Sequence, residues 1–235
     1  MKVRILGRIV LKEFIRNLVI SIAFFILLDY IYVYFAGIDL KSSTGLILWQ
    51  GGDERTIPTI SSVLLKLLNI SVIFLAIGKN VEKLKKDVTL NILSRFGSYK
   101  GFVFLYFLAV LLQGVFLLVI SHITYFCFTG IESLSVKSCI DYFTLDCLGL
   151  IGVIVVFIIF DNVLMIDNSF LYVIFVYVLN TVVPKPILIV FSTAKYIELR
   201  ERIGWWGIFS IIMIIDAILI TFFCCLISKR RVNVC

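Results

Sequence analysis

Four ionisable residues interrupt long apolar runs in this chain: Asp29, Lys66, Asp161 and Asp216. A charge inside an apolar run is costly, and by default it marks a function or a pairing. Asp29 and Lys66 each stand six residues from the same-side end of their run, at a matched depth of about 9 Å at 1.5 Å per residue. An ion pair between consecutive antiparallel helices is therefore expected, with a stabilising role. Asp216 lies near the middle of the last run, where a water-filled path or a contact with another subunit would account for it. The single histidine, His122, reads as a hydrogen-bonded interface residue near the end of the third run. A zinc site needs about four N or S ligands; one histidine and six cysteines without a CxxC pair do not suggest one. Cys139 and Cys147 share a loop in which a disulfide and free thiols are both open, free thiols being the expectation. Cys224, Cys225 and Cys235 are expected to be reduced. No GxxxxGK[ST] segment is present, so ATP is not expected to bind here through a P-loop. No GxSxG, HExxH or paired catalytic carboxylate stands out, and Glu198 and Glu201 flank Arg200 without forming an adjacent pair. No catalytic residue, metal or cofactor is expected on this chain.

The elements that must hold these residues follow from hydropathy. Of the 235 residues 61% are hydrophobic, against roughly 45–50% in soluble domains, and the mean hydropathy is +1.10. The excess is gathered into runs of span length, about 17–25 residues. Six are predicted, over 18–35, 60–77, 102–128, 148–166, 170–183 and 206–227. The fold class expected is an all-α integral membrane protein, one domain over 1–235. The first run lacks a small-residue cleavage pattern and is expected to remain as an anchor. The net charge of +7 sits at the ends of the runs, which points to lipid headgroups and not to nucleic acid. Fourteen Lys and Arg flank one side of the six runs and seven the other. The excess basic side faces the cytoplasm, so both termini are expected inside, although the loop after the fourth run has no basic residue. The Tyr30, Tyr32, Tyr34 group and the Trp205–Trp206 pair read as anchors at the outer boundary.

Two segments are organised beyond hydropathy. Arg4, Arg8, Lys12 and Arg16 recur every four residues with Val3, Leu6, Val10 and Phe14 between them. This predicts an amphipathic interfacial helix over 1–17 with its basic side toward lipid phosphates. The inner loop over 78–101 begins charged, then becomes half apolar at Val88 to Phe96, a stretch that wants a covering surface. The outer loops are predicted over 36–59, 130–147 and 184–205. The last of these starts with Pro184 and Pro186, is apolar over 187–191 and charged over 195–202; such a segment could dip into the membrane and return.

The ten residues LSRFGSYKGF, Leu93 to Phe102, resemble the stretch before the third span of bacterial ABC-2 type permeases, the small lantibiotic and peptide-exporter permeases being closest in kind. The layout is similar over nearly the whole chain: basic amphipathic N-terminus, six spans, inner loop after span two, half-apolar outer segment before span six, short basic tail. The resemblance implies a permease subunit of an ATP-driven exporter moving peptides or amphipathic cargo, in secretion or self-immunity. It implies a separate ABC ATPase that carries ATP and Mg, and a second permease subunit, identical or related. It assigns ATPase coupling to Leu90, Leu93, Arg95, Phe96 and Tyr99. A bacterial cell membrane is the expected location, and the Phe-, Ile- and Lys-rich composition suits a Gram-positive source. A sensor or assembly partner that does not transport remains open, as does an intramembrane enzyme, which would need polar residues clustered at one depth.

Overall fold

In the computed structural model, residues 2–35, 64, 67–78, 99–129, 136–163, 169–182 and 197–229 are described, and all of them are helical. None of the three prolines (58, 184 and 186) falls among them, as expected for helices with uninterrupted backbone ladders. Stretches such as Ile151 to Ile158 are rich in β-branched residues, which favour strands in water. They form helix here, because in an apolar medium only intrasegment bonding satisfies every backbone group.

Helix α1 is Lys2–Phe35, α2 is Leu67–Gly78 and α3 is Tyr99–Thr129. Helix α4 is Val136–Ile158, followed by a π-helical segment, Ile159–Val163. Helix α5 is Ser169–Val182 and α6 is Ile197–Lys229. Among the described residues, three helices are long and apolar enough to cross a membrane: Tyr106–Phe128, Phe143–Asp161 and Ile203–Ile227, with mean hydropathies of 2.2, 2.7 and 2.7. They give the chain its membrane character. The apolar parts of α1 (Asn17–Ile31) and α2 are shorter. At 14 residues, α5 is about 21 Å long, less than the roughly 30 Å of bilayer hydrocarbon.

Several boundaries differ from the hydropathy reading. The segment expected to be interfacial and the first span form one helix from Lys2, with no break near residue 17. The outer loop predicted over 130–147 is helical from Val136, since Lys137, Asp141 and Asp146 lower the hydropathy without interrupting the backbone. The α-helical part of the fourth span stops at Ile158, and the π turn takes over. The charged end of the loop predicted over 184–205 is helical from Ile197, and a break falls inside α6 at Gly204, with φ 71° and ψ 172°. That φ is left-handed, where a Cβ would be strained, so the short charged helix can turn sharply into the apolar one.

Helix α4 is the hub, packed against α3, α5 and α6, while α1 packs on α3. Its residues Ile154, Val155, Phe157 and Ile158 are essentially inaccessible and join Ile73, Phe74 and Ile77 of α2 in one core. The rings of Phe74 and Phe157 meet with centroids 6.2 Å apart. Gly114 of α3 sets the α3–α4 spacing: a Cβ there would come within 3.0 Å of Ile154 Cδ1 and 3.2 Å of Leu150 Cδ2. Small residues at such crossings let helices pack closely where lipid offers no hydrophobic drive for association. Large apolar side chains cover the outside, including Phe24, Leu112, Ile218 and Trp206, as a lipid-facing surface requires.

Candidate functional site

Two groups of buried polar side chains link helices, at different levels of the bundle. At one level, α3 carries Ser121 and His122, both buried. The Ser121 hydroxyl faces the carboxamide of Asn69 on α2, with Nδ2 at 2.8 Å and Oδ1 at 3.0 Å. His122 Nδ1 lies 3.0 Å from the Leu118 carbonyl one turn earlier. Its Nε2 lies 3.3 Å from Asp146 Oδ2 on α4, and the ring stands edge-on to Phe143 with centroids 5.2 Å apart.

This geometry sets the proton count. A carbonyl only accepts, so Nδ1 carries a proton. An ionised carboxylate also only accepts, so the Nε2–Oδ2 contact needs one further proton, on either the ring or the carboxyl group. The pair is net neutral in both forms, which suits its burial. Both ring nitrogens are engaged, so His122 is not placed to act as a base toward Ser121, whose hydroxyl is turned to Asn69. The level works as a polar lock joining α2 to α3 and α3 to α4, and its geometry is not that of an activated nucleophile.

At the other level, Asp161 of the π segment accepts hydrogen bonds from Tyr106 on α3 at 3.2 Å and from Ser169, the first residue of α5, at 3.1 Å. One buried carboxylate therefore ties together α3, the end of α4 and the start of α5. The π turn, with its extra residue per turn, carries Asp161 at this junction. Several other hydroxyls bond back to a carbonyl of their own helix, as Ser21 does to Asn17 and Thr124 to Ser121. This satisfies the group within its own segment.

The charged residues expected inside the spans have different surroundings. Asp29 is buried in α1; Lys66 lies outside the described residues, and with it the expected Asp29–Lys66 pair. Asp216 is buried in α6 at 5% exposure, and neither carboxylate oxygen has a hydrogen-bond partner among the described residues. Leu90, Leu93, Arg95 and Phe96 lie outside the described residues, while Tyr99 opens α3. Arg4, Arg8, Lys12 and Arg16 lie on the helical backbone of α1. Cys139 and Cys147 belong to one helix, not to a loop. Eight residues of helix separate them by about 12 Å, beyond the ~7 Å Cα limit of a disulfide, and Cys147 is a free thiol. No group of three or more metal-ligating side chains occurs among the described residues.

Sequence reasoning missed Asn69, Tyr106, Ser121, Asp146 and Ser169. The depth-matching argument applied to Asp29 and Lys66 would have paired His122 with Asp146 had Asp146 been read as helical. Comparison with protein-family models, with curated proteins and with solved structures found no match.

Proposed function

We propose that this chain is the membrane-spanning permease subunit of an ATP-driven exporter, working with a separate ABC ATPase and a second permease subunit. It crosses the cell membrane six times with both termini in the cytoplasm, and its cargo is a peptide or another amphipathic molecule. The observation that carries this reading is the segment Leu93 to Phe102 placed directly at the start of a long apolar helix. Helix α3 begins at Tyr99, and the half-apolar part of the segment comes before it in the sequence. Three helices of span length and a basic N-terminal helix support the same reading. The buried polar locks fit it as well, because they fix helices to one another.

A permease that does not itself bind ATP must receive the work of hydrolysis through a cytoplasmic contact. Leu93 and Phe96 are the apolar anchors of that contact, since buried apolar and aromatic groups dominate such interfaces, and Arg95 pairs with a carboxylate of the ATPase. The chain carrying both Leu93→Asp and Phe96→Asp is expected to insert normally, to lose its co-purifying ATPase and to stop exporting, while Lys83→Gln with Lys85→Gln changes little. Retention of both the ATPase and export by the double variant, with insertion verified, would overturn the reading.

A further inference from the structure

Between α1 and α2 runs an open groove of about 310 Å³, lined by Asn17, Ser21, Phe24 and Leu28 on one side and Ser71 and Ala76 on the other. We infer that this groove is a binding site for one acyl chain of an anionic phospholipid, in the leaflet on the side of the basic N-terminus. The inference does not depend on a transport function.

The length of the groove fits the occupant. From Asn17 to Leu28 the α1 wall is about 16 Å long at 1.5 Å per residue, close to the roughly 15 Å of hydrocarbon in one leaflet. The groove walls are mostly apolar, and an unfilled apolar groove forfeits dispersion contacts along its whole length.

The headgroup preference comes from one end of the groove. Asn17 lies at the end from which α1 continues without interruption to Lys2. That continuation contains Lys2, Arg4, Arg8, Lys12 and Arg16 against a single acid, Glu13. A chain seated beside Phe24 and Leu28 brings its phosphate to the Asn17 level, where this basic segment starts. Basic residues at a membrane surface favour anionic over zwitterionic lipid. A single engaged cation corresponds to a preference on the order of fivefold.

The test uses the full-length chain in micelles containing equal amounts of phosphatidylglycerol and phosphatidylcholine. Each lipid carries a photoreactive diazirine on one acyl chain, in separate preparations. The phosphatidylglycerol probe is expected to label α1 and α2 peptides around Ser21 and Ser71 severalfold more than peptides around Ile218, which faces outward on α6. The phosphatidylcholine probe should show little of this enrichment. In native mass spectra one phosphatidylglycerol is expected to remain bound. It should be lost in Ser21→Trp and in Ser71→Trp, and kept in Ile218→Trp. Replacing Arg8, Lys12 and Arg16 together by Gln should level the two lipids. Labelling of the unmodified chain spread evenly over α1, α2 and α6 would overturn the site, and this readout needs no variant to fold. Equal labelling of the groove by both probes would overturn the headgroup assignment, and a dimer without bound lipid would show a second copy in its place.

Discussion

Helices α4 and α6 have the same mean hydropathy over their span-length windows, 2.7, yet 50% of the α4 window is buried against 22% of the α6 window. Both also carry acids. Those within the α4 window, Asp146 and Asp161, meet His122, Tyr106 and Ser169. The acid within the α6 window, Asp216, has no hydrogen-bond partner among the described residues. Hydropathy registers the solvent a helix can tolerate but is blind to whether lipid or protein supplies it. The discriminating signal is the company of the polar groups: among the described residues, α4 surrounds its span-window acids with partners from neighbouring helices, and α6 does not.

The largest expected effect tests the packing side of this contrast. Ile154 on α4 is fully buried, while Ile218 on α6 is 62% exposed. Ile154→Ala leaves a cavity among α2, α3 and α4 that protein cannot refill, and about 2–4 kcal/mol of stability should be lost. Lipid or detergent chains fill the space left by Ile218→Ala, so its effect should stay within about 0.5 kcal/mol. Reversible unfolding in mixed micelles measures both, and equal losses would abolish the distinction between hub and periphery.

A smaller effect is expected at the acids of α4. Asp161→Ala removes two hydrogen bonds, each worth about 0.6–1.7 kcal/mol between membrane helices, and leaves the Tyr106 and Ser169 hydroxyls to find other acceptors. A loss of about 1–3 kcal/mol is expected in the same unfolding experiment. Asp161→Asn should cost less, since one carbonyl oxygen remains to accept. If Asp161→Ala proved as stable as the parent chain, the three-helix junction would not be holding the bundle together.

The same contrast explains which features were legible in the sequence. Apolar runs identified the helices, because a bilayer leaves the backbone few alternatives to helix. The third run, predicted over 102–128, falls within Tyr99–Thr129. The start of α4 was not legible: Lys137, Asp141 and Asp146 read as loop in a hydropathy window, though one face of that helix packs on α3. His122 could be read as hydrogen-bonded, but its partner could not be named, because the partner stood in the misread segment. The π turn at Ile159–Val163 and the left-handed Gly204 had no compositional signature. At the start of α4 and at the π turn, tertiary contacts, absent from a one-dimensional pattern, accompany the local structure. The coupling residues Leu90, Leu93, Arg95 and Phe96 rest on resemblance alone.

The smallest effect expected is at Asp216, and it bears most directly on why α6 keeps an acid. A buried polar group without a partner costs stability, and more so when it is charged. Asp216 makes no hydrogen bond to the described residues that a substitution would remove, so Asp216→Asn, nearly the same shape with no ionisable proton, should leave stability unchanged or raise it by up to about 1 kcal/mol. Asp146→Asn is the matched comparison on α4: its amide can still donate to His122 Nε2, but the neutral substitute forgoes any charge assistance, and a small loss is expected. A marked fall in stability for Asp216→Asn would mean that α6 pairs its acid as α4 does, with a group outside the described residues, and the contrast between the two helices would fail. Unchanged stability accompanied by loss of the proposed export would have a different meaning: the acid would be retained for function and not for folding, as expected of an ionisable residue kept inside a membrane.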